Sequence, residues 1–256
     1  MTRETWRTWI LIGVVAVLGA GALAEQARDR RRAPKPLVQL ETSQVHEIER
    51  ICAGCDRLVI LKRQGAWELT QPYFAPADPR KIAELVAIAS APLRQRLASN
   101  SLDPASMGLA PPVATLKLGP RLLEFGAAVP PHQDRYVRTG EALGLVQDRF
   151  SALLTGPPES FVDPHLLAGV TVTSGSMLGQ PISAEALERW REVAAVRIER
   201  LPPTFPGHTI EFALANGKPL VLQFDFRGNE LALFRRDVRA LYVLGAEDVT
   251  ALGLGR

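Results

Sequence analysis

Hydrophobic residues follow three textures along the chain. The first is one unbroken run, Thr8 to Ala24 (TWILIGVVAVLGAGALA), seventeen uncharged residues between Arg7 and Glu25. The second is a helical stripe that occurs twice. Asp78 and Pro79 form a good helix start, followed by Ile82, Leu85, Val86 and Ala89 on one face. Ser183 can cap a second helix, with Ile182 stapling onto Leu187 and with Leu187, Trp190 and Ala194 on its stripe. The third texture is short alternating stretches bounded by Gly, Pro or Asn, which predict strands. At the front these are VHEIERI, RLVILKR and WELTQP.

The remaining strands fall into two sets with one plan. After the first helix come LRQRL, the hairpin VATLKL and RLLEF around Gly119-Pro120, then RYVR, ALGLV and a closing FSALL. After the second come RIERL, the hairpin TIEFALA and KPLVLQF around Asn216-Gly217, then LALFRR, ALYVL and VTALGL. Leu97 corresponds to Leu201 and Phe125 to Phe224, so the pattern predicts a divergent internal repeat. The expected fold class is α+β: an N-terminal transmembrane helix followed by two related halves of mostly antiparallel sheet with covering helices. The expected organisation is an anchor or signal at 1–27, a basic, Pro-containing linker at 28–42, a first α+β repeat at 43–167 and a second at 168–256. The Gly- and Pro-rich stretch Thr155 to Pro181 joins the halves. Its Gly169 to Gly175 run (GVTVTSG) is the expected counterpart of the front strands, and TSGSMLG reads as a flexible loop.

As a helix the apolar run reaches about 25 Å, just short of a hydrocarbon core of about 30 Å. Ala22-Leu23-Ala24 looks like a cleavage site, but the run exceeds a signal-peptide core, and Trp6 and Trp9 suit a membrane interface. The expectation is an uncleaved, single-pass anchor in a bacterial inner membrane. Flanking charge alone favours a cytoplasmic domain. Large domains translocate largely regardless of such charge, so the expected location of the body is extracytoplasmic, or periplasmic.

Charge narrows the partners. The chain carries 30 Lys and Arg against 27 Asp and Glu, but seven of the basic residues and three of the acidic ones precede Leu37. The remainder is close to neutral and offers no general field for phosphates, so nucleic acid is not an expected partner. The cluster Arg28 to Lys35 reads as a solvated flank of the anchor.

Candidate chemistry is sparse. Cys52 and Cys55 are the only cysteines, in a C-x-x-C between two predicted strands. The alternatives are a local disulfide or inert thiols, a thiol-exchange pair, or a metal half-site. The missing helix start argues against a thioredoxin-like thiolate, and the missing second C-x-x-C or His pair argues against zinc. His46, His132, His165 and His208 are dispersed, without metalloenzyme spacing or an obvious carboxylate partner. Ser174 and Ser176 lack the flanking glycines of a nucleophile elbow, and Asn216-Gly217-Lys218 lacks the rest of a phosphate loop. Trp67 and Tyr136 can line a groove or pack in a core, and Asp78 is explained as a cap. The sequence therefore assigns no catalytic, cofactor-binding or metal-binding residue, and no cofactor.

The series WELTQPYFAPADPRKIAELV, MGLAPPVATLKL, LEFGAAVPPHQDRYVR and ALGLVQDRFSALL resembles an uncharacterised bacterial family of membrane-anchored domains of unknown function. These domains are often encoded beside gliding-motility-type ABC transporter auxiliary proteins. The similarity spans roughly residues 45 to 167 and rests on Trp67 to Pro72, Ala77-Asp78, Gly108-Leu109, Pro112 and Tyr136-Val137. The resemblance implies a non-catalytic accessory or scaffold protein, held to the membrane and bound to a transporter or envelope component. Two alternatives stand beside it: a thiol-disulfide redox protein using Cys52 and Cys55, and a ligand-binding module for glycan, peptide or lipid.

Overall fold

Strand alternation resolves into two antiparallel sheets in the computed structural model, which describes residues 36–98, 103–131, 133–140, 142–200, 205, 207–252 and 254. The apolar run 8–24, the basic stretch 28–35, His132 and Leu201 lie outside the described residues. Among the described residues no helix is long and apolar enough to cross a membrane.

The first sheet is built from β1 (Glu47–Cys52), β2 (Leu58–Arg63), β3 (Ala66–Gln71), β4 (Ala75–Pro76), β5 (Gln95–Leu97), β6 (Ala114–Leu118), β7 (Arg121–Val129), β8 (Asp134–Thr139) and β9 (Ala142–Gln147). Its order is β4-β3-β2-β1-β6-β7-β8-β9-β5. The second contains β10 (Val172–Met177), β11 (Gln180–Pro181), β12 (Arg197–Arg200), β13 (His208–Leu214), β14 (Pro219–Arg227), β15 (Glu230–Arg235) and β16 (Ala240–Leu244), in the order β11-β10-β13-β14-β15-β16-β12. In both sheets a lead strand, β1 or β10, pairs with the first strand of a four-strand meander. The strand that follows the helix, β5 or β12, skips over that meander to pair with its last member.

Helix α1 (Pro79–Ala87) starts where local chemistry directs it. The Asp78 carboxylate accepts from the Arg80 backbone N–H at 2.9 Å, and Pro79 supplies the first turn. A 3-10 turn, Ile88–Ser90, continues it. The short helix α2 (Ser151–Thr155) and the 3-10 turn Pro158–Phe161 follow β9. Helix α3 (Ala184–Glu192) is capped by Ser183, whose hydroxyl accepts from the Ala186 N–H at 3.2 Å, and α4 (Ala246–Ala251) follows β16. The Asn216-Gly217 turn forms as expected, with Gly217 at φ +78°, a conformation that suits glycine.

The TSGSMLG segment departs from its expected role. Ser174 to Met177 are strand, not a flexible loop, and pair with β13 from Ala213 to Ile210. Ser and Gly are poor strand formers in isolation, but here tertiary pairing decides. Gly175 is required by close approach, since a Cβ there would sit 2.7 Å from the Phe212 ring. Phe212 in turn meets Trp190 of α3 edge-on, with ring centroids 5.7 Å apart. The fold also begins earlier than the expected linker boundary. Leu37 is buried, and the Leu37 and Val38 N–H groups donate to the Ala91 and Ala89 carbonyls, both at 3.0 Å.

From Leu37 onward the described residues belong to one compact unit with a core that runs through both sheets. Ile48, Leu69, Ile82 and Phe125 contribute from one side and Trp190, Phe212, Leu222 and Tyr242 from the other. Between them runs a connector, residues 153–168, whose Leu154, Phe161, Val162 and Leu166 are buried. Backbone bonds stitch it to both halves. Asp78 N–H reaches Phe161 O at 2.8 Å and Asp163 N–H reaches Pro76 O at 2.9 Å, while Ala195 N–H reaches Pro164 O at 2.8 Å.

Two fully buried arginines complete that seam. Arg50 of β1 donates to the carbonyls of Gly156 at 2.6 Å, Leu153 at 3.4 Å and Asp56 at 3.3 Å, and its guanidinium lies 5.4 Å from the Phe161 ring centroid. Burial pulls its pKa down, partly offset by the Asp56 carboxylate. Arg235 of β15 donates to Leu166 O at 2.8 Å and Ala168 O at 2.9 Å, and makes a two-pronged pair with Asp237. Each guanidinium thus satisfies carbonyls at one end of the connector. Charged hydrogen bonds of this kind are worth about 1.5–3 kcal/mol each. Arg50→Leu and Arg235→Leu should therefore each lower stability by about 2–4 kcal/mol in urea unfolding monitored by circular dichroism.

Candidate functional site

A surface groove of about 540 Å³ lies along one side of α1. Its floor is the face of the helix that carries Ile82, Ala83, Val86 and Ala87, of which Ala83 and Ala87 are exposed, Val86 half-buried and Ile82 buried, whereas Leu85 lies in the core. One wall is the strap from Val38 to Val45, including the 3-10 turn Thr42–Gln44. The other is the β2–β3 hairpin, which contributes Lys62 and Trp67. These two residues face each other in register, and the Lys62 ammonium lies 5.6 Å from the Trp67 ring centroid. The strap is positioned from both ends, by the Val38 bond to Ala89 and by the Lys62 N–H donating to His46 O at 2.8 Å. At this volume, with mostly apolar walls and a few polar groups, the groove falls within the roughly 300–1,000 Å³ range of ligand pockets.

The two candidate groove aromatics do not meet. Trp67 lines this groove, but Tyr136 packs elsewhere, against the small cluster of Met107, Leu109 and Leu143. Sequence reasoning named neither Lys62 nor the strap. The strap was read as linker, and the small residues of α1 look like an ordinary solvent face until the strap is folded beside them.

Cys52 and Cys55 form a disulfide across the turn between β1 and β2, with Cα atoms 5.5 Å apart. Cys52 is buried at the end of a strand, opposite Ala114 of β6, rather than at the start of a helix. The next residue after the motif is fastened as well, because Asp56 O accepts from Arg50 and the Asp56 carboxylate lies 3.7 Å from the Arg200 guanidinium. This exposed pair ties the turn only weakly to β12 of the second sheet.

The histidines are placed apart. His46 is exposed beside the strap. His165 does have a carboxylate partner, contrary to expectation: its Nδ1 lies 2.7 Å from Asp163 Oδ1, which also accepts the His165 backbone N–H at 2.9 Å. The two are only two residues apart and the turn before β10 curls them together, a local geometry that helical spacing rules do not find. His208 lies in a second, polar depression of about 430 Å³ with Ser176, Thr209 and Glu211, and its ring packs 5.4 Å from Phe224. Ser176 stands opposite Glu211 across the β10–β13 pair, and Ser174 lies on the same strand. Among the described residues no group of three or more His, Cys, Asp or Glu is placed to hold a metal. Lys218 sits in the hairpin turn, where its N–H donates to Asn216 Oδ1 at 3.0 Å.

One further polar cluster was not visible in the sequence. Tyr73, which follows β3, and Tyr242 of β16 are both in the interior, and neither hydroxyl has a hydrogen-bond partner among the described residues. Burial raises both pKa values, with the Glu159 carboxylate adding to the effect at Tyr73 and Arg235 opposing it at Tyr242. Together with Arg50 and Arg235 they make the seam between the sheets polar.

Residues 67–200, from Trp67 in β3 to the end of β12, match the family described as Domain of unknown function (DUF4340). The match covers α1, the whole connector and α3, further into the second half than the resemblance read from the sequence. No curated protein and no solved structure matches the chain.

Replacing both cysteines removes a very short loop constraint. Cys52→Ser with Cys55→Ser should lower stability by about 2 kcal/mol or less and leave the far-ultraviolet circular dichroism spectrum unchanged.

Proposed function

The chain belongs to the DUF4340 family, a domain of unknown function, and on that premise we propose that it is a non-catalytic accessory protein, anchored in a bacterial inner membrane with its body outside the cytoplasm. It works as a scaffold for a transporter or other envelope component. The observation that carries this reading is the closed Cys52–Cys55 pair in a chain that opens with seventeen uncharged residues. A disulfide with no redox machinery around it suits an oxidising compartment, and such a run suits delivery there. The same pair weighs against thiol exchange as the activity, because the sulfur of Cys52 is buried and lacks the helix dipole that makes a good attacking thiolate.

The shared strand order of the two sheets supports descent from a duplicated unit. In this view the second half keeps the plan and the first has added β2, β3 and β4 to its edge. That addition brings Lys62 and Trp67 to the groove. A second reading, a ligand-binding module, is favoured by the groove itself, whose walls are ordered by backbone bonds and whose lining is largely apolar.

Crosslinking in native membranes tests the scaffold role. A transporter or envelope component should be captured in fixed stoichiometry with the full chain, and recovery of the chain alone would contradict it. A reporter fused after Arg256 should be active only in the oxidising compartment.

A further inference from the structure

The groove along α1 has two chemically different ends. At one end the Lys62 N–H bond to His46 brings the hairpin against the strap, where Thr42 and Ser43 join Lys62 and Trp67 in the lining. The Ala77 N–H bond to Trp67 O at 2.9 Å keeps this end beside the start of α1. At the other end the Val38 bond to Ala89 closes the strap onto the end of the helix, and Val38, Leu40, Val86 and Ala87 leave a mainly apolar lining beside the Ser90 hydroxyl, which donates to Ala87 O at 2.8 Å. The slot therefore runs from a hydroxyl- and ammonium-bearing mouth onto a mainly apolar stretch of surface along about three turns of helix, or about 15 Å. Among the described residues no Asp or Glu lines it. The Lys62 ammonium lies over the Trp67 ring and forms no ion pair among the described residues, so no carboxylate there neutralises its charge. The neighbouring cation, Arg63, already faces Glu68 at 3.9 Å.

We propose that this groove is a binding site for a single-chain amphipathic anion of the fatty-acid class, with the hydrocarbon chain along Ala83, Val86 and Ala87 and the carboxylate at Lys62. The proposal rests on the ligand-binding reading of the groove and adds the class of ligand. Charge complementarity selects the anion. A neutral or cationic head would leave the Lys62 charge unmatched at the mouth, and the lining has no carboxylate to receive a cation. The apolar stretch along Ala83, Val86 and Ala87 disfavours a purely polar ligand such as a sugar, because of the groups at that end only the Ser90 hydroxyl could replace lost water, and it already donates to Ala87 O.

The test is photolabelling of the full chain in phosphatidylcholine vesicles with a diazirine-bearing palmitate and, in parallel, a diazirine-bearing hexadecanol. The palmitate label should fall on peptides covering residues 38–45 and 79–90 and be competed away by unlabelled palmitate. Ala83→Trp, at an exposed helix position that fills the slot, should remove both labels from those peptides. Lys62→Glu should reduce palmitate labelling about tenfold while leaving hexadecanol labelling unchanged, which separates a charge contact from loss of fold. Labelling of peptides 38–45 and 79–90 that neither substitution alters, or labelling confined to residues 8–24, overturns the proposal. A groove that takes no lipid label while a benzophenone side chain at position 83 captures a protein chain also overturns it. That last result assigns the groove to a partner and leaves the scaffold reading standing.

Discussion

Arg50 and Arg235 are buried guanidinium groups, and apart from Asp56 O, which Arg50 also reaches, the carbonyls they find are those of the segment between the two sheets. A buried guanidinium must use its donors or cost several kcal/mol, so each arginine dictates where the connector passes. The connector in turn holds the start of α1 through Phe161 and Pro76, and accepts the end of α3 through Pro164. The nine-stranded and the seven-stranded sheet thereby share one core with a polar seam running through it. The hydroxyls of Tyr73 and Tyr242 sit in that same seam, and like the Nε of Arg50 they have no hydrogen-bond partner among the described residues.

This arrangement also fixes the walls of the groove. Helix α1 is pinned at Asp78 by its own cap and by the connector, and its far end is pinned by the strap at Ala89 and Ala91. The strap is pinned again where Lys62 meets His46. An apolar slot with both walls fixed by backbone hydrogen bonds needs little reordering to receive a ligand, and preorganisation of that kind is what converts buried area into affinity. The disulfide plays a more local part, closing the β1–β2 turn just beyond Arg50 so that Asp56 can accept from it.

Features set by neighbours in the chain were legible before the fold was known. The Asp78-Pro79 start, the Ser183 cap, the Asn216-Gly217 turn and the alternation of β13 through β16 depend on residues within a turn or two of one another, and they appear where expected. Two hairpins and two helices in matching sequence gave the α+β architecture. What stayed hidden depends on distant partners. Arg50 alternates with Ile48 and Cys52, so its place on the inward face could be inferred, but the carbonyls that receive it lie 103 and 106 residues away. Ser174 to Met177 become strand only because β13 lies beside them, and the strap became half of a groove only when it crossed back over α1. The Asp163–His165 contact was missed for a different reason, since it is local but belongs to a turn rather than to a helix.

The central claim is that the connector and its two arginines make the sheets one cooperative body. Native-state hydrogen exchange of the full chain in increasing denaturant tests this directly. If the claim holds, the amides of β6 to β8, β13 to β15 and the connector bonds at Asp78, Asp163 and Ala195 merge into a single opening with one free energy and one denaturant dependence. Two openings of different free energy, one for each sheet, with the connector amides exchanging ahead of both, would contradict it.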